Sequence, residues 1–325
     1  MDTTQQETES RLAYMPISFF SIVMGLSGLT IAWHKAQPVF GMNLGLINII
    51  LPTLVSAIFL VLAWSYTQKI IRFPEKVAGE LKHPVKLSFF PTISISILLL
   101  SIVFLSISPA IGRVLWAVGA TAHIGFVLYI ISTWMHQGHF QVQHINPAWF
   151  IPAVGNVIVP IAGVPLGFVE LSWFFFSIGI LFWIILMTIV FYRLLFHDPI
   201  PTHMLPTLFI LIAPPAVGFV SYMRLTGELD SFARILYFSG LFLTLLLFSQ
   251  AKRFLRLPFF LSWWAYSFPV AAITIASMVV FEHTQKTGFM WIGGLLLTLL
   301  TCLIGLLLVR TAIAIKNREI CTDAH

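Results

Sequence analysis

The chain has 325 residues, 58% of them apolar and only 9% charged, with a mean hydropathy of +0.95; a soluble domain of this length needs several times more surface charge. Its long apolar runs place it among multi-pass membrane proteins, so the formal net charge of +6 reports membrane orientation and not nucleic-acid binding. Two cysteines, Cys302 in an apolar run and Cys321 near the end, exclude a disulfide framework and a cysteine metal site.

In chain order, the opening MDTTQQETES is polar and acidic, unlike the basic start of a signal peptide. We therefore expect a short cytoplasmic segment at 1–15, one membrane domain at 16–315 and a cytoplasmic tail at 316–325. Ten apolar windows follow, near 17–34, 45–67, 88–107, 111–134, 149–168, 170–193, 204–223, 233–249, 260–281 and 289–312. The fifth and sixth are parted by little more than "GFVE", whose only charge is Glu170. Because 149–168 is rich in proline and glycine, eight or nine spans is the alternative count. With both ends inside, 13 of the 18 basic residues fall on inner segments. The inner set includes Lys69, Arg72, Lys76, Lys82 and Lys86, which read as a wet orientation signal or, alternatively, as a regulatory docking surface. Lys35, Arg113, Arg224, Arg234 and Lys286 remain outside.

Proline sorts the spans. The odd-numbered ones hold Pro91, Pro152, Pro160, Pro165, Pro206, Pro214, Pro215 and Pro269, with Pro16 at the mouth of the first; the even ones hold only Pro52, near an end. A proline inside a helix removes one hydrogen bond and frees a carbonyl, which hydrocarbon cannot satisfy. The odd helices are therefore expected to face inward and the even ones lipid. The even runs "LSWFFFSIGILFWIILMTIVFYR" and "SGLFLTLLLFS" are bulky and apolar all round, as that role requires. The expected fold is an all-α membrane protein of five repeated helical hairpins whose inner helices form a wall. Echoes at 87–97, 148–158 and 264–274, each with aromatics shortly before a proline, support the repeat. Small residues on inner spans, including Gly25 and Gly28, permit close packing or leave a tube open.

Chemistry-bearing residues are few. No lysine or arginine sits at mid-span. His123 in the fourth span reads as a packed, hydrogen-bonded histidine, Glu170 as a cap or ion-pair residue, and Asn146 before Pro147 as a turn residue. Asn156 is a candidate amide donor to a lumen. His136, His139 and His144 lack the i,i+4 spacing of a hydrolytic zinc site, and no nucleotide loop or nucleophile elbow is found. We expect no enzyme activity, no cofactor and no metal.

In "SWWAYSFPVAAI", residues 262–273, Pro269 cannot bond the carbonyl of Ala265, so the ninth helix is expected to bend about one turn earlier. If the face bearing Phe268 and Ala272 points inward, the ring enters the tube, and an apolar plug resists hydrated ions; packing filler is the alternative for a chain with 30 phenylalanines.

"GLSGLTIAW" at 25–33, "NPAWFIPAVGN" at 146–156, "LIAPPAVGFVSY" at 211–222, "GELDSFARILYFSG" at 227–240 and "WWAYSFP" at 263–269 together resemble the tellurite-resistance and dicarboxylate transporter family typified by TehA, which includes the plant slow-type anion channels. The likeness covers the whole membrane region. It implies ten transmembrane helices as five hairpins in quasi-five-fold arrangement around a central pore, homotrimers in a bacterial inner membrane, and small inorganic or carboxylate anions as substrates. It makes Phe268 the pore gate. Pro91, Pro160, Pro165, Pro214, Pro215 and Pro269 are then kinks of the pore wall, with Gly25, Gly28, Asn156 and Ala272 as candidate lining. Passive anion conduction is the leading expectation. The alternatives are a secondary carrier or exporter of C4-dicarboxylate, sulfite or tellurite-related anions, a histidine-based enzyme or receptor, and a purely structural membrane scaffold.

Overall fold

The computed structural model describes residues 11–136 and 141–322, in which all regular structure is helical. Positions 1–10 and 323–325 of the expected terminal segments, and His139 of the loop histidines, lie outside the described residues. The helices are α1 (Phe20–Phe40), α2 (Ile47–Arg72), α3 (Pro74–Lys82), α4 (Thr92–Leu105), α5 (Pro109–His136), α6 (Phe150–Gly163), α7 (Val169–Phe196), α8 (Ala213–Thr226), α9 (Ser231–Phe248), α10 (Ala251–Leu255), α11 (Ser267–Thr284) and α12 (Thr287–Lys316).

Among the described residues, nine helical segments are long and apolar enough to cross a membrane, and Pro147–Gly163 is a shorter apolar helix. The chain is thus an all-α multi-pass membrane protein. Its segments divide by burial as the prolines divide them. Ile17–Phe40, Lys86–Leu105, Thr202–Thr226 and Leu261–Thr284 have 72–83% of their most apolar stretch buried. In α2, α5, α7, α9 and α12 the share is 11–39%. The short α6 belongs with the first group, since it buries every residue except Ile161. Apolar helices without an inward stripe find their solvent in lipid. Each buried helix packs on two others, α1 on α4, α4 on α6, α6 on α8, α8 on α11 and α11 back on α1. Each also packs on the exposed helix that follows it, in the pairs α1–α2, α4–α5, α6–α7, α8–α9 and α11–α12.

All five buried segments open on a 3₁₀ stretch: Ile17–Phe19, Lys86–Phe89, Pro147–Trp149, Thr202–Ile212 and Leu261–Tyr266. The prolines sit where 3₁₀ passes into α. Pro91 directly precedes α4, Pro152 is third in α6, Pro214 and Pro215 are second and third in α8, and Pro269 is third in α11. A proline in the first α-turn forfeits no helical bond, and in a 3₁₀ turn each carbonyl is met three residues on instead of four. The expected break before Pro269 therefore exists as a change of winding between Tyr266 and Ser267. Pro160 lies inside α6, and Pro165 falls beyond its end in an exposed turn, because α6 stops at Gly163 and not near 168. Conversely, α1 continues through Pro38 to Phe40, six residues past its expected end at 34.

Close contacts fix the wall. A Cβ on Gly25 would stand 2.3 Å from Ser267 Oγ, and one on Gly28 2.7 Å from the Ala271 Cβ, so α1 and α11 meet through small residues. Arg11 Nη2 donates to the carbonyls of Ile315 (3.1 Å) and Ile320 (3.2 Å), which brings both described ends to one face, termed here the terminal face. On that face Lys69 is 1% exposed. Its Nζ donates to Glu80 Oε1 (2.9 Å) and to the Met15 carbonyl (2.8 Å), while Tyr66 donates its hydroxyl to Glu80 Oε2 (2.7 Å). Lys69 is thus no wet orientation charge: it clamps α3 to α2.

Candidate functional site

Helices buried on all sides should expose nothing, so their few accessible side chains are informative. Within the stretch 267–280, Ile275 alone is not buried, as Ile161 alone is not in α6. Ile31 and Ile102 are likewise half-buried, and Val220 retains 9% exposure. These five residues come one from each buried segment, and all five line internal space.

That space is three cavities in line. The first, about 100 Å3, lies toward the terminal face. Besides apolar residues, Ser18, Ser21, Thr92, Thr207 and Ser262 line it, and the hydroxyls of the last four donate to the carbonyls of Ser18, Phe89, Met204 and His203. The second is a chamber of about 40 Å3 bounded wholly by glycine, alanine, valine, leucine, isoleucine and phenylalanine. The third, about 610 Å3, occupies the opposite end, with Lys35, Asn48, Arg224 and Glu282 among its walls. Every buried segment contributes to each of the three. Phe268 lines both the first and the second, so its ring stands between them. Ile31, Ile102, Ile161, Val220 and Ile275 line both the second and the third.

Phe268 is 7% exposed and is carried on a tethered backbone. Ser267 donates its hydroxyl to the Trp264 carbonyl (2.6 Å), and Trp264 Nε1 donates to Thr311 Oγ1 of α12 (2.9 Å). With its backbone anchored on both counts, the side chain is left to move by rotation about its own bonds. On the far side, a Cβ added to Gly28 would lie 3.6 Å from the ring's Cδ2, so the ring rests near the wall that glycine leaves thin. Charge is confined to the wide cavity. There Lys35 is ion-paired with Glu282, and Arg224, His34 and His283 share the walls. The small chamber and its two apolar boundaries offer an ion nothing in exchange for its water.

The other sequence candidates are distributed unevenly. Gly28 and Ala272 line the small chamber and Pro269 the first cavity. Pro165 lies on the wide cavity. Gly25 faces Ser267 and Trp264 in a helix contact, and Pro91, Pro160, Pro214 and Pro215 border none of the three cavities. Asn156 also borders none: it is fully buried, and its Nδ2 donates to the Pro152 carbonyl (2.9 Å) of its own helix.

His123 is packed and hydrogen-bonded, as expected. Its Nε2 meets the Pro152 carbonyl (3.0 Å) and its Nδ1 the Ser94 hydroxyl (2.9 Å). Asn146 Oδ1 accepts from Ala148 N (2.9 Å), the turn role expected of it, and Glu170 occupies the first turn of α7. His136 Nδ1 donates to the Ser132 carbonyl (2.9 Å), and His144 Nδ1 accepts from Gln141 N (3.1 Å). Among the described residues no group of histidine, cysteine or acid is placed to hold a metal. These five aliphatic residues were missed in the sequence, where nothing sets them apart from their neighbours except a three-residue step from Gly28, Leu99, Ile158, Val217 and Ala272.

Comparison with known proteins places this geometry. The family model described as voltage-dependent anion channel, SLAC1, matches residues 14–312. The S-type anion channel SLAH3 of Arabidopsis thaliana is 30% identical over 304 residues, which cover 92% of this chain and 48% of that relative. An uncharacterized transporter of Methanocaldococcus jannaschii is 28% identical over 77% of this chain and 79% of its own length. A tellurite resistance protein TehA homolog of Haemophilus influenzae is 25% identical over 84% of each. The chain spans about half the length of SLAH3 and most of the length of the other two.

Proposed function

We propose that this chain, which belongs to the SLAC1 family of voltage-dependent anion channels, is itself a passive channel for small anions, closed by the phenyl ring of Phe268. One observation carries the reading: cavities lined by residues from all five buried segments lie end to end, and Phe268 is shared by two of them. A permeant anion leaves bulk water in the wide cavity, where Lys35 and Arg224 outnumber the single carboxylate of Glu282. It crosses the apolar stretch when the ring turns aside and reaches the first cavity near the terminal face, where serine and threonine residues stand among apolar ones. No charged side chain lines that cavity, so an anion is free to leave it, as conduction requires.

The wider reading has ten spans, with Pro147–Gly163 as the short fifth, set in five hairpins around a quasi-five-fold pore. Neighbour contacts that run from α1 around to α11 and back support it. The excess of lysine and arginine on the terminal face supports reading that face as cytoplasmic, and the sequence resemblance supports a bacterial inner membrane. Three copies would assemble, each with its own pore, as the sequence resemblance implies.

The test is anion current in planar bilayers or oocytes, with chloride, nitrate, malate and sulfite in turn. Phe268→Ala is expected to raise the current over wild type, reversing near the Nernst potential of the anion. Unchanged current at normal surface expression removes the gate, and saturating, counter-exchanging flux removes the channel.

A further inference from the structure

We propose that α10, with Arg256 directly after it, is a docking site for the headgroup of an anionic phospholipid, seated against the segment that carries Phe268. The docking stands on the membrane fold alone; its bearing on the gate rests on the pore reading above.

The site is built by one short stretch, AKRFLR at 251–256. Phe254 is buried, and its ring centroid lies 5.1 Å from that of Phe209 and 6.1 Å from that of Tyr266. These contacts turn one side of α10 to the protein. Helical periodicity then sends Lys252 and Arg256 to the opposite side, and Arg253 and Leu255 to the two flanks. All four are exposed. Leu255, at 80%, is the most exposed large apolar side chain among the described residues. No aspartate or glutamate occurs between Asp230 and Glu282. Among the described residues the ion pairs are Lys35–Glu282 and Lys69–Glu80, so none of the three cations has an acidic partner.

The level of α10 in the membrane follows from its neighbours. Leu245 and Leu246 are still exposed in the last turn of α9, so hydrocarbon reaches almost to its end. Leu261 and Ser262, just beyond α10, line the cavity near the terminal face. The short helix therefore lies where acyl chains give way to headgroups. Orientation in a membrane asks for basic residues there, but not for an exposed leucine among them, nor for a buried aromatic that fixes how they are presented. A phospholipid meets both demands. Its phosphodiester accepts hydrogen bonds from guanidinium and ammonium groups, and its chains cover Leu255. A soluble phosphate meets only the first. Tyr266, on which Phe254 bears, is two residues before Phe268, so a lipid that steadies α10 also steadies the start of α11.

Binding is read from thermal unfolding of the purified protein in detergent, titrated with dioleoyl phosphatidylglycerol or dioleoyl phosphatidylcholine, since a ligand of the folded state raises the Tm with its concentration. Phosphatidylglycerol is expected to stabilise the wild type at lower concentration than phosphatidylcholine, an advantage that salt reduces. Lys252→Gln with Arg253→Gln and Arg256→Gln should weaken phosphatidylglycerol on the order of a hundredfold and leave phosphatidylcholine unchanged. Arg253→Lys with Arg256→Lys, which keeps the charge, should stay close to the wild type. Neutralising Arg72 and Lys82, which flank Glu75 in the sequence, should cost much less than the triple change. Equal responses of the wild type to the two lipids, equal affinity in the wild type and the triple variant, or a response to glycerol 3-phosphate as strong as to phosphatidylglycerol would each overturn the docking.

Two further readouts separate the parts of the proposal. In a background with Cys302→Ser and Cys321→Ser, a nitroxide on Leu255→Cys in lipid vesicles should be reached by oxygen more readily than by a water-soluble nickel chelate. The reverse order would mark an aqueous surface suited to a soluble partner and overturn the lipid reading. In planar bilayers the open probability of the wild type should differ between phosphatidylglycerol and phosphatidylcholine, and that of the triple variant should not. Equal open probability of the wild type in both lipids would overturn the bearing on the gate and leave the docking intact. No current from either protein would overturn the pore reading and leave the docking to the unfolding titration.

Discussion

Replacing Lys69 by Met tests whether the clamp on the terminal face is as strongly coupled as its geometry suggests. Lys69 Nζ reaches Glu80 Oε1 at 2.9 Å and the Met15 carbonyl at 2.8 Å, with the side chain almost wholly buried. Without it, the Glu80 carboxylate keeps only the Tyr66 hydroxyl at 2.7 Å, inside a pocket closed to water. Breaking a buried ion pair from one side costs about 3–5 kcal/mol, because the remaining charge is stranded. Removing both charges, in Lys69→Met with Glu80→Met, strands none. It leaves the Met15 carbonyl and the Tyr66 hydroxyl short of a partner, at about 1–3 kcal/mol each. The double variant should therefore be no less stable than Lys69→Met alone, and the double-mutant cycle should show a coupling of at least about 2 kcal/mol. The measurement is denaturant or thermal unfolding of the purified protein in one detergent, for the wild type, both singles and the double. A Lys69→Met protein within about 0.5 kcal/mol of wild type, or additive effects in the double, would refute the reasoning.

Two further outcomes follow from contacts away from the pore. A Cβ at Gly155 would lie 1.9 Å from His123 Cε1, so Gly155→Ala must expel the imidazole from its bonds to Ser94 and Pro152; a loss of about 2–5 kcal/mol is expected from two broken buried hydrogen bonds, and adding His123→Ala should restore part of it. Absence of that rescue in unfolding measurements would show that the ring is not what the methyl displaces. His83, at the turn after α3, accepts from the N–H groups of Val85 (3.1 Å) and Lys86 (3.3 Å) on Nδ1. Burial first, then the charges of Lys86 and His144, hold its pKa below the usual 6.5. The folded state thus prefers the neutral ring: the contribution of His83 to stability is complete above the unfolded value and is lost as pH falls through the lower folded one. Unfolding of His83→Ala followed from about pH 7 to 5 should show a shallower loss of stability than wild type. Parallel curves would refute the assignment.

Much of the architecture was legible because proline and hydrocarbon obey different constraints. Segments carrying Pro91, Pro152, Pro214 and Pro269 proved to be the buried ones, and the helix holding the unbroken run 170–193 proved largely exposed. The reason differs from the expectation in one respect: these residues begin the α portion of a segment that starts as 3₁₀, where their missing N–H is not needed. Local winding of that kind leaves no compositional mark, so neither the eleven-residue stretch Thr202–Ile212 nor the early end of α6 was foreseen. Of the candidate site, Phe268 and Ala272 drew notice as a ring beside a proline and a small residue one turn on, and Gly28 as a small residue of α1; all three line the small chamber. Asn156 drew notice because a polar residue in an apolar run suggests a lumen; it borders none of the three cavities, its Nδ2 bonds within its own helix and its buried Oδ1 has no hydrogen-bond partner. Lys69 misled in the opposite sense: a lysine in a basic connection gives no hint that a glutamate eleven residues later will bury it. The five aliphatic residues shared by the small chamber and the wide cavity were invisible, since an isoleucine facing a void and one facing a neighbour are the same letter.

The contact between α1 and α11 has a bearing on how the molecule is made. Gly25 and Gly28 are cut to fit Ser267 and Ala271, partners more than two hundred residues downstream. During synthesis α1 must wait, its notched side without its native partner, until α11 leaves the ribosome. Long-range closure of this kind is slow, and it makes the last hairpin the keystone: a nascent chain halted before it would hold a gutter and not a tube.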